Sequence, residues 1–176
     1  WPAPEPSRPS WCWPGNRTAA VKLIDQKVDV KAAAPDGTTA LHWAAHNGDA
    51  DLVDRLIKAG ANVNAKNEFG STPIVEAARS NSTPIIDSLL KAGADANAAY
   101  TDGQTVLMIV ARSTNVKAAE LLLARGAKVN AVENQKQQSS LMWAAAQNQG
   151  PMVRTLIAHG ADVNAKTGEG KTALMY

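Results

Sequence analysis

Short apolar clusters alternate with polar stretches along most of the chain, and the clusters are of two kinds. One kind is rich in alanine, as in LHWAA at 41–45 and LMWAAA at 141–146. The other carries larger aliphatics around one or two polar residues: LVDRLI at 52–57, IIDSLL at 85–90, AAELLL at 118–123 and MVRTLI at 152–157. A turn-prone position separates the two clusters of a pair: Gly48, Asn81, Thr114 and Asn148 in successive pairs. The pattern predicts pairs of short helices, the first of each pair slim enough for its neighbours to approach closely. Gly and Asn accept left-handed backbone at such a turn, but a β-branched residue does so poorly, so a locally altered turn is expected at Thr114.

The pairs recur at a fixed spacing. Gly37, Gly70 and Gly103 lie 33 residues apart, and Gly60, Gly93, Gly126 and Gly160 step by 33, 33 and 34. An apolar series, Leu41, Ile74, Leu107, Leu141 and Leu174, shares that offset, with one extra residue between Gly126 and Leu141. Thr39, Thr72, Thr105, Ser139 and Thr172 stand two residues before it, where a hydroxyl caps free helix amides. Pro73 suits a first helical position, and Pro84 and Pro151 fit the first turn of the second helices. Asp54 with Lys58, and Asp87 with Lys91, are spaced for ion pairs along one helix. The second glycine series supplies left-handed helix stops. Beyond each stop, GANVNA, GADANA, GAKVNA and GADVNA run to the next unit as extended chain.

These residues resemble the ankyrin repeat, which has a 33-residue period, a turn plus two helices and a T-P-L-H-x-A signature. The matching stretches are GTTALHWAA, GSTPIVEAA, GQTVLMIVA, QSSLMWAAA and GKTALMY. The TALHWAA and SSLMWAA forms are similar to bacterial members. Departures are the signature His, kept only as His42 and replaced by Val75, Met108, Met142 and Met175, and the opening glycine of unit four, replaced by Gln137. The resemblance implies an all-α solenoid of stacked helix-turn-helix units with projecting loop fingers. Its expected layout is a half unit over 17–36, full units over 37–69, 70–102, 103–136 and 137–169, and a cut unit over 170–176. Within the half unit, Val21–Ala32 aligns with a second helix and is expected to cap the array. Residues 1–16 hold five of the nine prolines and three of the five tryptophans. Proline at that density blocks helix and ladder alike, and the segment reads as a disordered tail. At the other end, Leu174, Met175 and Tyr176 are not the polar cap that a terminal repeat needs, so the natural protein is expected to continue.

Composition narrows the function. Thirty-three alanines against eight aromatics suit packed helices better than a sheet sandwich. A net charge of +2, with basic and acidic residues interspersed, argues against nucleic acid. No apolar run exceeds the six residues of Val106–Ala111 and Leu141–Ala146, far short of the roughly 20 that span a bilayer, so a soluble protein of unassigned compartment is expected. The lone Cys12 excludes an internal disulfide. His42 and His46 have a metal-compatible spacing, but Trp43, Ala44 and Ala45 between them offer no further ligand; His42 is expected to bond backbone in its own turn region. Phosphate loops and catalytic constellations are absent. The reading is a non-enzyme without cofactor or metal.

In the ankyrin family the finger tips and the exposed side of the first helices form a concave partner surface. Carried over by register, the resemblance implies His46 and Asn47, Arg79 and Ser80, Arg112 and Ser113, and Ala146 and Gln147 on the helices. On the fingers it implies Lys66, Glu68 and Phe69; Tyr100, Thr101 and Asp102; Gln135, Lys136 and Gln138; and Glu169 and Lys171. The tips are read as the least constrained positions. Trp43 and Trp143 share one register, either as anchors on that face or as half-buried packing against alanines. The expected function is binding of a protein partner, by a monomer, for regulation or scaffolding. The alternative is an accessory recognition domain of a larger enzyme or signalling chain.

Overall fold

The computed structural model describes Arg17, Val21 and residues 29–176. The tail at 1–16 and most of the expected capping helix at 21–32 therefore lie outside the described residues. Eight helices follow in pairs: α1 (Ala40–His46) and α2 (Ala50–Lys58), α3 (Pro73–Arg79) and α4 (Thr83–Lys91), α5 (Val106–Ala111) and α6 (Val116–Ala124), α7 (Ser140–Ala146) and α8 (Gly150–Ala158). A single 3-10 turn, Ala173–Met175, comes last. Among the described residues the only extended pairing is three isolated antiparallel bridges, Ala33 with Thr39, Ala99 with Thr105 and Val132 with Ser139, at the bases of fingers. The all-α expectation holds.

Local chemistry sets the helix ends. The hydroxyls of Thr105 and Ser139 accept from the Met108 and Met142 amides at 3.3 and 3.5 Å. Asp49 and Asn115 cap α2 and α6 by accepting from Leu52 and Ala118, both at 3.1 Å. Gly60, Gly93, Gly126 and Gly160 stop the second helices at φ +88, +91, +84 and +87°. Between paired helices, Gly48, Asn81 and Asn148 are left-handed, and the next amide but none, that of Asp49, Ser82 or Gln149, reaches back to Ala44, Ala77 or Ala144. Thr114 departs from this as expected. In its turn the Ser113 hydroxyl donates to the Val110 carbonyl (2.8 Å) and accepts from the Asn115 amide (3.2 Å), a side-chain substitute for the missing backbone bond. Asp87 and Lys91 close at 2.7 Å, but on α2 the pair that closes is Asp51 with Arg55 at 3.5 Å rather than Asp54 with Lys58.

Packing follows the repeat. First helices stack as α1, α3, α5, α7 and second helices as α2, α4, α6, α8. Leu41, Ile74, Leu107 and Leu141 are buried between the layers, as are Leu56, Leu89, Leu122 and Leu156. Each such side chain contributes about 1.5–3 kcal/mol through burial. Val53, Ile86 and Ala119 are fully covered by the following second helix. Val153, in the same register on α8, is only half-buried, and beside it Ile157 and Leu174 line an open groove of about 470 Å³.

Two sets of polar bonds lock unit to unit. Asn64, Asn97 and Asn130 each donate to the carbonyl of the next unit's helix-stop glycine, Gly93, Gly126 or Gly160, at 2.9, 3.2 and 3.0 Å. The oxygen of each amide accepts from Asp95, Lys128 or Asp162 N–H at 2.8–2.9 Å. At the finger ends, the amides of Glu68, Thr101, Asn134 and Gly168 donate to the carbonyls of Asp36, Phe69, Asp102 and Lys136. The tips are thus tied into a ladder, which corrects their reading as the least constrained positions: their backbone is fixed, and some of their side chains are engaged as well, Tyr100 by Arg79, Asp102 by Gln104 and Glu169 by Lys171. Gly70 shows why this needs glycine. Its φ is +77°, and a Cβ there would lie 2.9 Å from the Thr101 nitrogen.

Candidate functional site

The first helices start at the finger bases and run to the turns between paired helices, and their last residues fall in a row across the stack. His46, Arg79 and Arg112 occupy one register, with Asn47, Ser80, Ser113 and Gln147 one position on. Glu76 organises the first half of this row. It is 8% exposed; its Oε1 accepts from the Ser71 hydroxyl at 2.6 Å and its Oε2 faces His46 Nδ1 at 2.9 Å. Arg79 lies 3.8 Å from the same Oε2 and donates to the Tyr100 hydroxyl at 3.3 Å. Arg112 is placed differently. Its guanidinium sits 4.9 Å over the centre of the Trp143 ring, a cation–π geometry. Arg79 and Arg112 are therefore not equivalent donors: one is shared with Glu76 and Tyr100, the other rests on an indole.

The structure sorts the remaining sequence candidates. Lys66, Glu68, Phe69, Thr101, Gln135, Lys136, His46, Asn47 and Gln147 are exposed, and Tyr100 and Asp102 are half-buried. The Ser80 hydroxyl is turned onto the Ala45 carbonyl of the preceding unit at 2.8 Å, and Ser113 is used in the Thr114 turn. Asp102 accepts from the Gln104 amide at 3.0 Å, shaping its own finger. Trp43 and Trp143 are both half-buried. The Trp43 ring meets His46 edge-on, centroids 6.2 Å apart, and the Trp143 Nε1 is buried without a partner.

His42 is buried; one ring nitrogen bonds its own turn region, as expected, and the other reaches the next unit. The Thr39 amide donates to Nδ1 at 3.1 Å and Nε2 lies 3.0 Å from the Ser71 carbonyl, fixing the proton on Nε2. Burial pushes its pKa down. With both ring nitrogens of His42 engaged, it has no lone pair to share with His46 on a metal. Among the described residues no group of three or more His, Cys, Asp or Glu side chains is placed to hold a metal ion.

Glu133 went unnoticed in the sequence. It is 4% exposed and accepts from the amides of Gln135, Lys136 and Gln138 at 2.6, 2.8 and 2.9 Å. Burial alone would raise its pKa; the three amides outweigh this and hold it below the ordinary carboxylate range. This carboxylate organises the finger that carries the inserted residue, where Gln137 adopts φ +56° in place of the missing glycine. The signal available was an acid four residues before Gln137, the residue that replaces the turn glycine.

Stacked helix pairs, left-handed stops in strict register and laddered fingers define an all-α repeat solenoid. The family model for ankyrin repeats (three copies) matches residues 12–100 and again 76–167, and the chain belongs to that family. No curated protein matches the chain. Ankyrin repeats are generally protein–protein interaction modules and typically non-catalytic. Among the described residues no helix is long and apolar enough to cross a membrane.

Proposed function

We propose that this chain is a non-catalytic recognition module that binds one partner protein along the finger side of its first helices, as a regulator or scaffold. The observation that carries this reading is the run of exposed side chains on a fixed backbone. Phe69 (58% exposed), Thr101, Arg112 and Gln147 come from consecutive units, and the ladder holds the fingers before any partner arrives. Aromatic and arginine side chains are enriched at interfaces and at their hot spots, and a preorganised surface avoids much of the ordering cost of association.

The test is capture and titration of a partner by the intact array and by Phe69→Ala/Arg112→Ala. Both side chains are exposed, so melting should change little, while the binding constant weakens at least about fivefold, or roughly 1 kcal/mol. Retained binding, together with loss in Glu120→Ala/Arg154→Ala on the opposite helices, would move the site to the second-helix face.

A further inference from the structure

The row contains one concavity with a chemistry of its own. Asp36, Trp43, His46, Phe69, Glu76 and Arg79 line an open cleft of about 310 Å³ between the first two fingers and the ends of α1 and α3. Two carboxylates share it with one guanidinium, and the Arg79 guanidinium is already engaged by Tyr100 and Glu76. Glu76 lies deep and Phe69 stands at the rim, more than half exposed. Trp43 and Phe69 supply aromatic surface within reach of the acids. The chain displays the matching interaction elsewhere: Trp143, in the register of Trp43 three units on, carries Arg112 on its ring. Among the described residues no arginine or lysine rests on Trp43.

We infer that this cleft receives an arginine side chain of the partner protein, its guanidinium against Trp43 and Phe69 and its charge toward Asp36 and Glu76. The inference rests on the reading of the finger side as the partner surface and names what one part of that surface recognises. Arginine fits better than lysine because a planar guanidinium stacks on an aromatic face while its N–H fork pairs with a carboxylate. An aliphatic or aromatic side chain would cover the rings but leave Asp36, bonded only to the amide and hydroxyl of Thr38, without a counter-charge, and Glu76 with no more than the 3.8 Å approach of Arg79; burying poorly paired charge is costly.

The probe is N-acetyl-arginine amide, titrated into the full chain at pH 7.5 and followed by the indole N–H resonance of Trp43 in ¹H–¹⁵N spectra, assigned with Trp43→Phe. Its neutral isostere, N-acetyl-citrulline amide, is the control. The expected result is a saturable shift of Trp43, with citrulline at least about fivefold weaker because the cation–π and ionic contributions are lost. Asp36→Asn and Phe69→Ala should each weaken arginine binding at least about twofold while the Trp143 indole stays unmoved; the two are independent, so misfolding of one leaves the other to decide. Equal binding of the two probes, or no saturable shift of Trp43, overturns the inference. Since the probe needs no partner, either result is separable from the test above: a partner lost on Phe69→Ala/Arg112→Ala with no arginine response keeps the surface and removes the arginine pocket.

Discussion

Asn97 spans the junction between two units with both ends of its side chain, donating to the Gly126 carbonyl at 3.2 Å and accepting from the Lys128 amide at 2.8 Å. The residue lies at the surface, yet it closes a helix end that belongs to its neighbour. Asn97→Ala leaves that carbonyl and that amide to water, so it should cost about 1–2 kcal/mol, the worth of one or two ordinary hydrogen bonds. Urea midpoints measure the loss. The Lys128 amide should also exchange faster in the variant, and an unchanged exchange rate would show that the bond does not persist in solution.

The glycines divide into two classes that a single substitution distinguishes. Gly93 has φ +91° but open space around a would-be Cβ, whereas Gly70 has φ +77° and the Thr101 nitrogen 2.9 Å away. Gly93→Ala should cost only the left-handed penalty, about 1–2 kcal/mol. Gly70→Ala must in addition displace the neighbouring finger, so its denaturation midpoint should be the lower of the two. Equal midpoints would mean that the fingers yield freely.

Acid should destabilise the array in two separate windows. His42 has a folded pKa below the ordinary value of about 6.5. A depressed base binds fewer protons folded than unfolded, so its contribution is full above about pH 6.5 and is lost as pH falls through the folded value. Glu133 is likewise depressed. Its contribution is complete above the unfolded carboxyl value near pH 4.3 and disappears as pH falls further. Melting temperature measured from pH 8 to 3 should therefore decline in two steps. His42→Met, the residue that units three and four carry at this position, should flatten the upper step, and Glu133→Gln the lower.

Exchange protection should end sharply near Thr172. The Thr167 amide donates to the Lys171 carbonyl at 2.8 Å and the Gly168 amide to Lys136 at 3.0 Å, so the last finger is held. Beyond it stands a single 3-10 turn, with Leu174 96% exposed. Amides of 173–176 should exchange orders of magnitude faster than those of Leu89 or Leu122, whose side chains are fully buried. Comparable protection at both places would contradict the frayed end.

Most of the fold was legible because its signals repeat: a left-handed stop needs glycine, and glycine recurs at every stop. Apart from Glu133, whose partners lie in its own finger, what stayed hidden are mainly residues whose partner comes from another unit. Asn64, Asn97 and Asn130 recur as regularly as the glycines, but an amide inside GANVNA or GADANA reads as extended chain until the next unit's helix end is brought to it. Asn115 caps its own helix, yet it also accepts from the Thr83 hydroxyl at 2.9 Å and donates to Asn81 Oδ1 at 2.9 Å, both in the preceding unit. The row of candidate positions was legible by register, but not its electrostatics. Ser80 reads as an exposed hydroxyl although it is committed to the Ala45 carbonyl. Arg79 and Arg112 look alike although one meets a buried carboxylate and the other an indole.

The finger ladder also sets how the array can deform. Its rungs, Asp36 to Glu68, Phe69 to Thr101, Asp102 to Asn134 and Lys136 to Gly168, lie along one edge of the stack. Sliding one unit past the next would strain a rung and an asparagine bridge together. Tilting about the finger edge spares the rungs but stretches the asparagine bridges, which sit at the helix stops and not on that edge. Each junction is thus pinned at two separate places, and a partner pressed against the fingers meets contact points whose spacing is set like marks on a steel rule.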